Sequence, residues 1–252
     1  MILRRVVAHV NNQEWNAILI DFVIVVVGVF VGIQAQQWSN DRTERKQEHE
    51  YLQRILADIN ISIDTNVLNV KRLKSTSDGQ AFVVDSLRRC SLPENQKDTF
   101  ADGVAHIARV GPSVIVLSTM EEMLSAGKFS IIRNSKLRDT LNGLARDATY
   151  QDHVYANKVG LISAAATTTS TRVLRIYTDY KTPFDVVRWD ELDLDFNALC
   201  QDREFQAAVS NLRDTANAGI SLNNRALDKL HTAKAAVEAE LGMKTKNGEP
   251  PQ

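Results

Sequence analysis

Asn16–Trp38 reads NAILIDFVIVVVGVFVGIQAQQW, and this stretch decides the architecture. From Phe22 to Ile33 twelve consecutive residues carry no charged or polar side chain, and the seventeen positions Ala17–Ile33 are interrupted only by Asp21. A helix needs about 20 mostly apolar residues, within a range of about 17–25, to cross the hydrocarbon core of a bilayer. Trp15 and Trp38 bracket the stretch. At about 1.5 Å per residue they stand roughly 34 Å apart, so both indoles reach the two interfaces and act as anchors there. The thirteen Val, Ile, Leu and Phe residues between Ile18 and Ile33 favour insertion by about 4 to 8 kcal/mol, against about 3.5 kcal/mol at most from Asp21. Two other readings compete with a membrane span. One is a buried helix of a soluble domain. The other is a cleaved signal peptide with Arg4 and Arg5 as its basic start, for which Ile33-Gln34-Ala35 is a poor cleavage site and the apolar stretch is too long.

Gly28 and Gly32 form a G-x-x-x-G pair on one helix face, which permits close approach of a second helix. Asp21 lies two turns before Gly28 and shares that face. A carboxylate in this setting is costly unless protonated, paired or near the interface, so it either contacts a partner helix or is solvated at the interface. Asp21, Gly28 and Gly32 are therefore the candidate helix–helix contact residues.

These residues carry a resemblance. The order of an acid, six apolar residues, glycine, three apolar residues, a small residue, one apolar position, glutamine, and tryptophan four residues later resembles the N-terminal anchor of a bacterial family of single-pass membrane proteins whose domain has no assigned function. The matching positions are Asp21, Gly28, Gly32, Gln34 and Trp38. The family usually carries Glu at the acid and Ala at the small position, so Asp21 and Gly32 depart mildly. The close match covers about twenty residues, with weaker similarity in the next helix and around Met120–Leu141. The resemblance implies a location in the bacterial cytoplasmic membrane and a helical extramembrane domain, and it implies no activity.

Orientation is contested by the flanking charges. Arg4 and Arg5 precede the span, whereas Arg42, Arg45, Lys46 and Arg54 follow it. Lys and Arg counts alone put the large domain in the cytoplasm. Asp41, Glu44, Glu48 and Glu50 offset the far cations, and the basic, amphipathic tail with Ile2, Leu3, Val6, Val7 and Val10 suits an anionic cytoplasmic leaflet. The expectation is a short inner tail over residues 1–15, a membrane helix over 16–38, and a periplasmic domain over 39–243. Residues 244–252, with Pro250-Pro251, form an expected disordered end.

Asp41–Glu50 (DRTERKQEHE) has no apolar residue and reads as a solvated helical stalk. From Leu52 the pattern turns amphipathic, with Leu52, Leu56, Ile59, Ile63, Val67 and Val70 on one stripe. A second helix is expected over Gln80–Arg89 and a weak one over 98–110. Ser113–Leu117 fits either a strand or a buried helix. Ser118 is expected to cap a short helix ended by Gly127, and Ser135 to cap a long one with Leu137, Leu141, Leu144, Ala148, Tyr155, Val159, Ile162, Ala166 and Val173 inward. Gly143 and Gly160 mark close crossings in that helix. Asp202 caps the last helix, striped by Phe205, Val209, Leu212, Ala216, Ile220, Leu227, Leu230, Val237 and Leu241 and ended by Gly242. The fold class expected is all-α, one membrane helix followed by an elongated helical bundle in which 52–70 and 205–241 lie antiparallel.

The 252 residues are 24% charged with net charge −1. That balance lacks the basic surface of a nucleic-acid binder. Only 11 glycines and 5 prolines disfavour turn-dense β folds. No dinucleotide fingerprint, phosphate loop, zinc-protease motif, C-x-x-C or nucleophile elbow occurs. No catalytic, cofactor or metal residue is assigned, and an enzyme is not expected. His9, His49, His106, His153 and His231 are isolated in sequence. Asp190, Asp193 and Asp195 have the residue type of calcium ligands without the EF-hand spacing, so caps and a solvated loop are expected instead. Trp189 and Tyr180 serve either helix packing or a pocket. Cys90 and Cys200 pair in a disulfide if the domain is periplasmic and their Cα atoms approach within about 7 Å; otherwise they are free, partly buried thiols. The function expected is a non-enzymatic scaffold or accessory subunit that meets the lipid bilayer and either a second copy or another membrane protein. The alternative is a sensor-like bundle that binds a small ligand and signals through a partner.

Overall fold

A computed structural model describes residues 15–176 and 185–243, and leaves out the side chains of residues 15–18 and 21. The expected inner tail up to residue 14, the disordered end and Tyr180 lie outside the described residues. By contacts the chain divides into two units, Met1–Tyr51 and Leu52–Gln252. The division falls after the stalk rather than at residue 38, in keeping with a stalk that carries no apolar side chain to bury.

Helix α1, Trp15–Arg89, contributes to both units. The expected separate helix at Gln80 is a continuation of it. No proline occurs before Pro93, and nothing in the sequence between Trp15 and Arg89 forces a break. In the first unit the apolar residues from Leu19 to Ile33 are all exposed, and Trp38 is 68% exposed. One 18-residue window there has a mean hydropathy of 1.6 with none of it buried, so the chain holds a helix long and apolar enough to cross a membrane.

The second unit continues with α2 (Lys97–Ala105), α3 (Ser118–Ser125), α4 (Ser135–Ser170), α5 (Phe196–Gln201) and α6 (Arg203–Glu240). Two unforeseen two-residue strands, β1 (Leu174–Arg175) and β2 (Leu192–Asp193), pair antiparallel. The other regular elements of the unit are helical, as the composition implies. Helices α4 and α6 pack along each other. One core cluster joins Val83 and Leu87 of α1, Phe100 and Val104 of α2, Leu199 of α5, and Phe205 and Val209 of α6. Phe100 meets Phe196 edge-on at 5.4 Å between centroids and Trp189 at 6.1 Å. Trp189 therefore takes the packing role.

Several helix starts differ from expectation because the cap comes from elsewhere in the fold. Ser118 does not cap α3; Asp58 of α1 accepts from the Thr119 N–H and the Ser118 hydroxyl, both at 2.9 Å. Asn134, not Ser135, caps α4 by accepting from the Leu137 N–H at 3.2 Å. Asp202 caps α6 as expected, accepting from Phe205 N–H at 2.9 Å. Gly127 and Gly242 end α3 and α6 with φ of 67° and 70°, the left-handed geometry glycine tolerates.

The stripes are also shifted. On α1 Leu52, Ile59 and Ile63 are buried, but Val67 is 53% exposed, while Ile55, Ser62, Asn66 and Leu73 point inward. On α4 Val159 is 42% exposed, Val173 lies past the helix end, and the buried residues beyond Leu144 are Asp147, Gln151, Ala165 and Thr169. Gly143 and Gly160 make no close crossing. Close approaches occur instead at Gly103, where an added Cβ would meet Gly79 O at 3.0 Å, and at Gly219, where it would meet Leu73 Cδ1 at 3.2 Å. The Gly219 contact and the Ser77–Asn217 hydrogen bond of 2.8 Å set α1 antiparallel to α6 there, one or two turns beyond the expected 52–70 segment.

The shifted polar residues of α1 have a common purpose. Ile107 and Ala108 lie in the turn that follows α2, and Arg109–Leu117 is a strap without regular structure and with no ladder partner. Its backbone groups are satisfied by α1 side chains instead. Asn66 donates to Val114 O at 2.5 Å and accepts from Val114 N–H at 3.1 Å. Ser62 accepts from Val116 N–H at 2.8 Å, Asn69 donates to Pro112 O at 3.4 Å, and Gln80 donates to Ile107 O at 2.6 Å. The register is geometrically natural. Two extended residues span about 6.6 Å, and four helical residues span about 6 Å, so Val116 and Val114 fall over Ser62 and Asn66.

Candidate functional site

The G-x-x-x-G pair lies on the apolar part of α1. An added Cβ at Gly28 or Gly32 would meet nothing within 4 Å. One turn separates the two, about 6 Å along the axis. Val25 and Val29, which share their side of the helix, are 63% and 59% exposed. The result is an uncovered strip of small and β-branched residues. The side chains of Asp21 and Trp15 lie outside the described residues, so the acid of the motif has no geometry to add. At the far end Gln36 donates to Asn40 at 3.0 Å, and the Arg42 guanidinium sits 6.0 Å from the Trp38 ring centroid.

The two cysteines are brought together. Cys90 and Cys200 form a disulfide with Cα atoms 5.4 Å apart across a sequence separation of 110. Cys90 occupies the first position after α1 with φ of 46°, where glycine is the usual residue. Its N–H donates to Leu87 O at 3.1 Å and the Ser91 N–H to Ser86 O at 3.3 Å, closing the helix end. A non-glycine residue in this conformation costs about 1 kcal/mol. The cross-link ties the end of α1 to α5, itself capped by Asp195 accepting from Asn197 and Ala198 N–H groups at 3.0 and 3.1 Å.

Helix α2 presents two acids one turn apart to the chain entering from residue 185. Asp98 accepts from Trp189 N–H at 2.9 Å and Asp102 from Val187 N–H at 3.1 Å. His106 Nδ1 lies 3.1 Å from the same Asp102 oxygen. Burial and the positive charge of Arg109 hold the His106 pKa below its usual value, with Asp102 opposing and Arg175 adding to the depression. The unfolded chain therefore binds a proton at His106 more readily than the folded one, and stability falls as pH drops below about 6.5. Replacing His106 with Gln is expected to flatten the loss of melting temperature between about pH 7 and pH 5. Asp202 works in a lower window. The Arg172 hydrogen bond of 2.7 Å, followed by the Phe205 N–H, lowers its pKa, so that stability is present above the carboxylate range and lost as pH falls through it.

Asp190 is 3.2 Å from Arg188 and Asp195 is a helix cap, so two of the three acids that have the residue type of calcium ligands are structural. Among the described residues no group of three His, Cys, Asp or Glu is placed to hold a metal. Between α4 and α6 the absence of buried residues from Asp152 to Ala164 opens a groove of about 500 Å³, lined by Lys158, Leu161, Ala165, Ala208, Leu212 and Asp214 among others. Compared with protein-family models, curated proteins and solved structures, the chain matches none.

Proposed function

We propose that this is a non-enzymatic, membrane-anchored helical protein that acts through protein contacts, as a scaffold or accessory subunit in the bacterial cytoplasmic membrane. The observation that carries the reading is the uncovered Gly28–Gly32 strip on a helix apolar enough to span a bilayer. In lipid, apolar side chains alone do not drive helices together, and close backbone approach at small residues does. The partner is a second copy or another membrane helix. Gly28→Leu together with Gly32→Leu is expected to weaken association in a bilayer two-hybrid reporter by about tenfold. Unchanged association removes this mechanism.

The Cys90–Cys200 disulfide supports a periplasmic position for the larger unit. Such bonds persist in oxidising compartments and are rare in a reducing cytosol. This outweighs the flanking Lys and Arg count, which is offset by neighbouring acids. A phosphatase fused after Gln252 is expected to be active, and a fluorescent protein fused there dark; the reverse pattern overturns the orientation.

A second reading has one observation in its favour. The α4–α6 groove has the volume of a small-molecule site, so the larger unit is also a candidate ligand-binding sensor that signals through a partner. A melting temperature of the solubilised full chain that rises with a screened metabolite, and not in Ala208→Trp, would favour it.

A further inference from the structure

Cations just outside an apolar anchor work against the charge bias that orients such helices, so Arg42, Arg45 and Lys46 require a separate reason to be there. In sequence they are mixed with acids. On the helix they are sorted. At about 100° per residue, Trp38, Arg42, Arg45, Lys46 and His49 fall on one arc of about 100°, while Asp41, Glu44 and Glu48 group on another of about 60° and Glu50 lies about 40° beyond Lys46 on the opposite flank. Trp38, Arg42, Arg45 and Lys46 are all exposed. The Arg42 guanidinium lies 6.0 Å from the Trp38 ring centroid, within cation–π range. Lys46 has only a loose contact with Glu50 at 3.9 Å, between side chains 81% and 59% exposed.

We propose that this arc is a binding surface for the headgroups of anionic phospholipids in the leaflet that Trp38 reaches. The inference rests on the membrane reading above. An indole at the interface sets the depth of the arc. Arg42 then stands about 6 Å beyond it and Lys46 about 12 Å along the axis. The polar layer of one leaflet is about 5–8 Å thick, and long cationic side chains reach back towards it. Arg42 offers a planar fork that matches a phosphodiester, steadied by the ring. Arg45 and Lys46 add charge within the screening distance of about 8 Å. Of the acidic arc Glu48 is buried and only Asp41 and Glu44 are exposed, so the face that this segment offers to anionic lipid is the cationic one.

The test is electron spin resonance on the full chain in phosphatidylcholine vesicles containing 20% phosphatidylglycerol (about that fraction suffices). Spin-labelled phosphatidylglycerol and phosphatidylcholine are compared in the motionally restricted shell. The wild type is expected to favour phosphatidylglycerol at least about threefold, and the preference to fall towards equality in R42Q/R45Q/K46Q and in about 1 M salt. Equal association in the wild type, or a preference the triple variant keeps, overturns the proposal while leaving the anchor intact. Absence of any restricted lipid overturns the membrane reading itself, and this inference with it.

Discussion

Replacing both Cys90 and Cys200 with Ser is expected to lower the melting temperature of the solubilised full chain by about 9–19 °C. The magnitude follows from the loop. The bond closes a separation of 110 residues, and cross-linking a loop of about 100 residues removes denatured-chain entropy worth about 4.7 kcal/mol in the chain-entropy model. For a domain of this size each kcal/mol moves the midpoint by about 2–4 °C. Reductant applied to the wild type is expected to reproduce the shift, and reductant applied to the double variant to do nothing. A second comparison isolates the backbone. Cys90 sits at φ of 46°, so Cys90→Gly with Cys200→Ser is expected to recover about 1 kcal/mol relative to the double Ser variant. Equal stability of the two would mean that the helix end relaxes once the bond is gone. The same bond gives the orientation reading a cellular test: in growing cells the wild-type thiols should resist alkylation until the sample is reduced.

What was readable in the sequence depended on whether the information was local. The membrane-type helix is encoded in composition, since every position from Phe22 to Ile33 is apolar or glycine, and no tertiary contact is needed to recognise it. Glycine stops such as Gly127 and Gly242 are local too. The caps of α3 and α4 were misplaced for different reasons. Ser118 is a good cap by type, but Asp58, sixty residues away in sequence, supplies the acceptor. For α4 the cap lies one position earlier, at Asn134 rather than Ser135, two residue types that both cap well. The inner stripes of α1 and α4 follow apolar periodicity only in part, with Leu52, Ile59, Ile63, Leu137, Leu141 and Leu144 buried. Ser62, Asn66, Gln80, Asp147 and Gln151 are buried polar residues that serve other backbone or side-chain groups, Asp147 through Arg225 at 2.8 Å. Reading i, i+4 and i+3 spacing for amides and hydroxyls, as for Ser62, Asn66 and Asn69, would have found the strap's partners.

The candidate site divides the same way. Gly28 and Gly32 are visible as spacing on one helix, and in the structure an added Cβ at either meets nothing within 4 Å. The pairing of Cys90 with Cys200 was left open by the sequence, because proximity across 110 residues is a property of the fold. One local clue existed. Cys90 stands immediately after a helix, at the place a stop glycine normally holds, and retaining a side chain there suggests that the side chain is needed. The sorting of Arg42, Arg45 and Lys46 from their acids is likewise present in the sequence, but appears only when residues are projected onto the helix rather than counted along it.

The strap provides the second large effect. Asn66 is fully buried and meets both backbone groups of Val114, donating at 2.5 Å and accepting at 3.1 Å. It does for one residue what a neighbouring strand would do in a sheet. Asn66→Leu has similar volume, so the packing loss is small, but it strands the part-buried N–H and C=O of Val114. Each stranded group costs about 1–3 kcal/mol, giving an expected loss of about 2–6 kcal/mol in denaturant unfolding of the full chain. Ser62→Ala removes a single acceptor, from Val116 N–H at 2.8 Å, and should cost about 1–2 kcal/mol. Val67→Ala, next to Asn66 in sequence but 53% exposed, should cost under about 0.5 kcal/mol. The order is the diagnostic feature. If α1 were held mainly by an apolar stripe through Val67, the leucine at position 66 would be nearly neutral and the alanine at 67 the harmful change. If the helix instead acts as the hydrogen-bonding partner of an extended strap, polarity at 62 and 66 outweighs apolarity at 67. Amide exchange should then show Val114 and Val116 protected in the wild type and Val114 released in Asn66→Leu.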